Sequence, residues 1–115
     1  MQLAGAIGAI AASVSLGFSP PACPPDALPN CAAAHGTVLY VQHYDPDGDG
    51  DAHFILRSDQ SITLPGISVI DVRTDLRPHP LPGPGALIAA QGPVYPGSAG
   101  QHQIQADEVR VAGRR

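Results

Sequence analysis

The chain has no lysine and no tryptophan, one glutamate (Glu108) and two cysteines (Cys23 and Cys31) in 115 residues. Aromatic side chains are scarce as well: Phe18, Phe54, Tyr40, Tyr44 and Tyr95. Glycine and proline number 13 each, and that mixture disfavours packed helices and favours short strands joined by turns. From residue 35 onward no run has helical periodicity, and in "RTDLRPHPLPGPG" the prolines at 78, 80, 82 and 84 limit any helix to one turn. Two cysteines lack the second pair that a structural zinc site needs. The absence of lysine, beside abundant Ala, Gly, Pro and Arg, reads as the coding bias of a GC-rich bacterial genome, which bears on source and not on mechanism. Two catalytic motifs are also missing. No nucleophile-elbow sequence exists, so Ser-His-Asp triads assembled from the letters carry no weight. "GPGPGALI" lacks the Gly-Lys-Ser ending and the helix of a phosphate loop.

What is present suits one small domain, since a chain of this length buries only about 60–70% of its unfolded surface. Residues 1–18, "MQLAGAIGAIAASVSLGF", carry no charge and are followed by "SPPACPP". A transmembrane helix takes roughly 20 predominantly apolar residues, so an export signal fits this shorter, Gly/Ala-diluted run better. The alternatives are an uncleaved membrane anchor or an internal helix. The first basic residue is Arg57, a departure from the basic start of ordinary signals. Small residues suited to cleavage occur at Ser15 and Gly17, or at Ala22. Cys23 and Cys31 flank the proline-rich "CPPDALPNC", a loop that a disulfide closes in an oxidising compartment. A lipid anchor at Cys23 is a weaker reading, because "SPPA" lacks the leucine-containing pattern that precedes such anchors.

Five strand-like segments follow: "HGTVLYVQHYD" (35–45), "DAHFILR" (51–57), "GISVIDVR" (66–73), "ALIAAQGPVY" (86–95) and "HQIQADEVRV" (102–111). Each is bounded by Gly, Pro or Asp. The first is apolar on both faces, as a strand in a curled wall requires. The expected fold is all-β, a small five-stranded antiparallel barrel over residues 35–112. Residues 1–22 form the apolar leader, 23–34 a Cys/Pro-rich lead-in, and 113–115 a tail.

The opening "GTVLYV", the "DGDAHFIL" of the second strand, "PGPGALIAAQGPVY" and the closing "HQIQADEVRV" resemble the OB-fold. They resemble more closely a set of small exported bacterial OB-like domains without an assigned activity. The likeness spans residues 35–112, with a proline-rich connector where the fold usually has a helix between strands 3 and 4. OB-folds bind nucleic acids, oligosaccharides or proteins, or act as scaffolds, so the resemblance implies a binding or structural module and no specific ligand.

The densest polar stretch is "HYDPDGDGDAHF", 43–54. Asp45, Asp47 and Asp49, with Gly50, match the start of a calcium loop, and Asp51 extends the carboxylate set. The Glu expected at the twelfth position falls on Leu56. A solvated hairpin turn explains the run equally, since Asp and Gly tolerate positive backbone angles and exposed charges repel weakly in salt water. If the hairpin is centred on Gly48, His43 faces His53, and the pair becomes a candidate transition-metal site. The alternative is that these histidines cap the barrel end. His35, His79 and His102 are scattered and suggest nothing together.

Ten acidic residues less Asp26 leave nine from His35 onward, against six arginines. The acidic run occupies the loop between strands 1 and 2, a usual docking position for oligonucleotides on OB-folds, so nucleic-acid binding is disfavoured. A staphylococcal-type nuclease shares an acidic "DGD" on an OB-like barrel, but the general-base glutamate and its strand-to-turn segment have no counterpart here. The sequence therefore predicts an exported, non-enzymatic OB-like binding or structural module with no cofactor. Its partner would be an unidentified protein or small ligand, and it would meet a membrane only through an uncleaved N-terminal segment. The alternative is a calcium-stabilised domain with the ion held by Asp45, Asp47, Asp49 and Asp51. A nucleic-acid-binding domain and a nuclease-like enzyme rank behind both.

Overall fold

The computed structural model describes residues 18–42, 50–97 and 99–114. Within them six strands run in chain order: β1 (Cys31–Gln42), β2 (Ala52–Arg57), β3 (Ile67–Val72), β4 (Leu87–Pro96), β5 (His102–Gln105) and β6 (Glu108–Val111). A single 3-10 turn, Thr74–Leu76, lies in the proline-rich connector between β3 and β4.

Period-two burial drives this architecture. In β2, Ala52, Phe54 and Leu56 are fully enclosed, whereas His53 and Ile55 are half-buried on the opposite face. Val38, Ile70, Val72, Ile88, Ala90 and Ile104 join them in one apolar core. Arg73 and Arg77 flank the 3-10 turn in extended conformation, which matches the brevity that the prolines impose.

The sheet closes on itself. β1 pairs with β2, β2 with β3, β3 with β5, β5 with β4, and β4 returns to β1, giving a ring of five strands. All these pairings are antiparallel except β3 with β5, which is parallel. The sheet is thus mixed, and the purely antiparallel expectation is corrected. The connector carries the chain from β3 to a position beside β1, and β5 fills the remaining gap running in the direction of β3.

The strand count also differs. The expected fifth strand breaks at Ala106 and Asp107, where the backbone is drawn two ways: Ala106 N–H donates to Asp71 O (2.9 Å) and Asp107 N–H to Gln91 O (2.8 Å). Its first half becomes β5, and its second half becomes β6, which pairs with β4 alone. Two glycines permit the bends. A Cβ at Gly36, where β1 changes partner from β4 to β2, would meet Arg57 O at 1.9 Å. A Cβ at Gly92, where the partner of β4 changes from β6 to β5, would meet Gln105 O at 2.1 Å.

β1 starts at Cys31, four residues before the expected His35, because Ala32, Ala33 and Ala34 pair with Gly92, Gln91 and Ala90 of β4. The lead-in is tied to this extension. Cys23 and Cys31 form a disulfide, S–S 2.09 Å, which leaves Cys23 no thiol for a lipid. Asn30 and Val94 exchange hydrogen bonds. Further upstream, Phe18 and Pro21 are buried, and Arg110 donates to Ser19 O at 2.8 Å.

Candidate functional site

Antiparallel partners place their side chains on one face, so the register defines what the outside of the ring presents. Tyr40 of β1 faces Ile55 of β2, which faces Val69 of β3; one step along, Gln42 faces His53, which faces Asp71. On the far side of β3, Gln103 of β5 pairs with Tyr95 of β4. Two polar-and-apolar rows therefore cross the outer face of β1, β2, β3 and β5.

A small cleft of ≈ 130 Å³ sits on this face, lined by Gln42, His53, Ile55, Val69, Gln103 and two residues of the β4–β5 turn, Ala99 and Gln101. That turn is shaped by Gly97, whose N–H donates to Gln101 O (2.7 Å), and by Gly100, with φ +89°. A Cβ at Gly97 would meet Gln103 Oε1 at 2.6 Å. The turn lies over the sheet, which explains why β3 is buried on both faces, with Val69 and Asp71 only 7% exposed.

Asp71 is the central polar group. Gln103 Nε2 donates to its Oδ2 at 3.1 Å, and His53 Nε2 stands 3.7 Å from its Oδ1, longer than a hydrogen bond. His53 Nδ1 is enclosed and has no hydrogen-bond partner among the described residues. Beyond Asp71 a second cleft of ≈ 320 Å³ is lined by Asp51, Asp71, Arg73, Asp107, Pro93, Gln105 and Ala106. Here Arg73 supplies the counter-charge. It bonds Asp75 through Nε at 3.0 Å and lies 3.7 Å from Asp107. These carboxylates and Asp51, Asp75 foremost, raise the Arg73 pKa, and the Arg73 hydrogen bond holds the Asp75 carboxyl below its usual range.

The predicted site residues fare differently. His43, Asp45, Asp47 and Asp49 lie outside the described residues. Gly50, the expected sharp turn, has φ +78°. Its carbonyl accepts from Thr74 Oγ1 (3.2 Å) and from the Arg77 guanidinium, so the end of the acidic loop is pinned to the 3-10 turn beside a cation. The register partner of His53 is Gln42. The position assigned to His43 opposite His53 is therefore taken by Gln42: the pairing Val38 with Leu56 would put Val41 opposite His53, and the bulge between Val38 and Tyr40 advances it by one residue to Gln42, one short of His43. Among the described residues no group of three or more His, Cys, Asp or Glu side chains is placed to hold a metal ion.

Of the groups that a nuclease-like reading would use, Asp51, Asp71 and Arg73 line the second cleft, Arg57 stands six residues from Asp51, about 20 Å along β2, and Glu108 is paired with Arg110 at 2.6 Å. The outer-face glutamines escape sequence reasoning, since Gln has no motif and its face depends on register. Asp71 did leave a signal: it is the one charge in the apolar run "ISVIDV". No family model matches the chain, and no curated protein matches it.

Proposed function

We propose that the chain is an exported OB-like binding module whose ligand seat is the outer face of β2, β3 and β5. The carrying observation is the ring order β1-β2-β3-β5-β4 with one parallel pairing, β3 to β5, and a polar cleft under the β4–β5 turn. OB-folds dock ligands on strands 2 and 3 and on the turns that flank them. Charge supports a ligand other than nucleic acid. Arg73, Arg77, Arg110 and Arg114 are held by Asp75, Gly50 O, Glu108 and Pro80 O, and no arginine lines the outer cleft. Arg57, exposed on the same face of β2 as His53 and Ile55, is one cation set against the Asp71 carboxylate, and strong phosphate binding takes several.

A binding role without catalysis is favoured because the titratable groups of the face are His53 and Asp71, already packed with Gln103. Export is supported by the disulfide. Cleavage after Gly17 fits better than cleavage after Ala22, which would remove the buried Phe18 and Pro21 and the carbonyl bonded by Arg110. Mass spectrometry of the secreted protein checks this: a mature chain starting at Phe18 is expected.

NMR shift mapping with a library of small neutral fragments tests the seat. Hits are expected to cluster on Gln42, His53, Ile55, Val69 and Gln101. Hits confined to the cleft beside the disulfide, lined by Pro24, Asp26 and Leu28, would overturn it. Labelled single-stranded oligonucleotides at low salt should bind no tighter than micromolar, and tighter binding would defeat the charge argument.

A further inference from the structure

A second site lies away from the outer cleft, where the lead-in crosses β4. Ala90 of β4 points into the core, so Gln91 points out, between Ala33 of β1 and Glu108 of β6. Gln91 is nevertheless only 7% exposed, because the loop from Cys23 to Cys31 stands over it. Among the described residues its one polar side-chain contact is Oε1 at 3.4 Å from Cys31 Sγ. That sulfur is bonded to Cys23 and has no hydrogen to donate. Turned end for end, the amide offers Nε2–H to sulfur, a weak acceptor, and presents Oε1 to the space beside it. Either way, one end of a nine-tenths-buried amide has no partner among the described residues, whereas buried polar groups are as a rule hydrogen-bonded.

The space beside it is a cleft of ≈ 250 Å³ between the loop and β4. Pro24, Ala27, Leu28 and Pro93 form its apolar walls, and Asp26 and Asp107 add two carboxylates. Donors are scarce there. Pro24 and Pro93 have no N–H, and the N–H groups of Ala27, Cys31 and Asp107 go to Pro24 O, Leu28 O and Gln91 O. No arginine or histidine lines the cleft. The one cation beside these carboxylates among the described residues is Arg73, 3.7 Å from Asp107, and it is bonded through Nε and Nη2 to Asp75.

A cleft so rich in acceptors takes a group that only donates, an ammonium or a guanidinium. The walls decide between them. An ammonium is compact and strongly hydrated, whereas a guanidinium is planar and weakly hydrated, and its edge donates to carboxylates while its face lies on apolar surface. The volume is below the roughly 300–1,000 Å³ of drug-sized pockets and suits one side chain. Leu28, a lining residue 58% exposed, gives the neighbour of that side chain an apolar contact that a small guanidine would leave unused.

We infer that this cleft holds an arginine side chain of a partner protein, its guanidinium donating to Gln91 Oε1, Asp26 and Asp107, with an adjacent apolar residue on Leu28. None of these residues lines the outer cleft, so the two sites are separate.

The test is titration of the full, isotope-labelled chain with the N-acetyl amide of leucyl-arginine, beside peptides in which lysine or citrulline replaces the arginine. Citrulline keeps the shape and loses the charge. The arginine peptide should shift the Gln91 side-chain amide and the Asp26 and Leu28 backbone amides at millimolar concentration and bind more tightly than the lysine peptide; the citrulline peptide should shift none of them. Asp26→Asn should weaken binding roughly twofold to fivefold, the range of an exposed ion pair, while Asp59→Asn, an exposed carboxylate between β2 and β3, leaves it unchanged. Gln91→Met should weaken binding without lowering Tm, since an apolar chain of similar length replaces an unsatisfied amide at no cost to the fold. A lowered Tm shows that the amide is already bonded within the fold and overturns the inference. Silence, an equal response to the lysine or citrulline peptide, or equal weakening by both aspartate variants also overturns it. If methylguanidine binds as tightly as the arginine peptide, the protein partner falls; if concentrating the chain alone shifts Gln91, a second copy takes its place. The outer-cleft reading is read at other residues and survives each of these results.

Discussion

At the scale of single residues, the sheet depends on places where a side chain is forbidden. Gly36 and Gly92 let one backbone pass within contact of another, and no side-chain movement can relieve a Cβ directed at a carbonyl oxygen. Gly36→Ala is expected to cost more than about 3 kcal/mol, as overpacking against rigid backbone does. Gly83 has no atom within 4 Å of the same construction, and Gly83→Ala should stay within about 0.5 kcal/mol of the parent. Urea melts of the two variants check the contrast. A second residue-scale expectation concerns Asp75. Its folded pKa is lowered from 3.8 by the Arg73 hydrogen bond. Its contribution to stability is therefore present above the unfolded value and lost as pH falls through the lower folded one. Both side chains are exposed, so solvent screening keeps that contribution small. The carboxyl carbon resonance of Asp75 should titrate below its ordinary range, and Arg73→Gln should return it there.

Secondary-structure elements were legible where alternation was strong and obscure where tertiary contacts override local pattern. β2, β3 and β4 lie within a residue of their expected limits, because Phe54, Leu56, Ile70 and Ile88 mark buried faces bounded by Gly, Asp or Pro. The first third of β1 was invisible: "CAAA" has no strand signature, and only pairing with β4 makes it extended. The break between β5 and β6 was invisible for a similar reason, since it depends on the long-range acceptors Asp71 O and Gln91 O. The hairpin register placed Gln42 and not His43 opposite His53, one residue from the expectation, and a local pattern cannot specify such a slip. The disulfide element was readable from spacing alone. Its removal in a Cys23→Ser, Cys31→Ser double variant should cost about 2–3 kcal/mol by loss of loop closure, seen as a fall in Tm on the order of 10 °C. Asn30 and Val94 would still hold the start of β1 to β4.

For the whole molecule, the acidic loop and the outer face set separate expectations. Arg77 at the Gly50 carbonyl and Arg73 beside the Asp51 cleft place cations at the base of the loop, which favours the reading of the acidic run as a solvated turn over the calcium-stabilised one. Thermal melts with EDTA and with millimolar calcium are expected to coincide; a calcium-dependent rise in Tm would bring the ion-stabilised reading forward. All-β class and the disulfide were foreseeable from composition and spacing. The parallel β3–β5 pairing was not, because strand direction follows from the path of the connector through space and not from any residue pattern.

That pairing is also the thinnest part of the ring, with two residue pairs, Ile70 with Ile104 and Asp71 with Gln105. Below it the gap is crossed by one hydroxyl: Thr63 Oγ1 accepts from Val69 N–H at 3.0 Å and donates to His102 O at 2.6 Å. With the short ladder, the Ala106 N–H to Asp71 O bond and the Gln103 to Asp71 bond, that hydroxyl makes up a seam of few bonds. The ring has a preferred line of opening, and amide exchange at Val69 and Ala106 should be faster than at the β1–β2 and β1–β4 pairings.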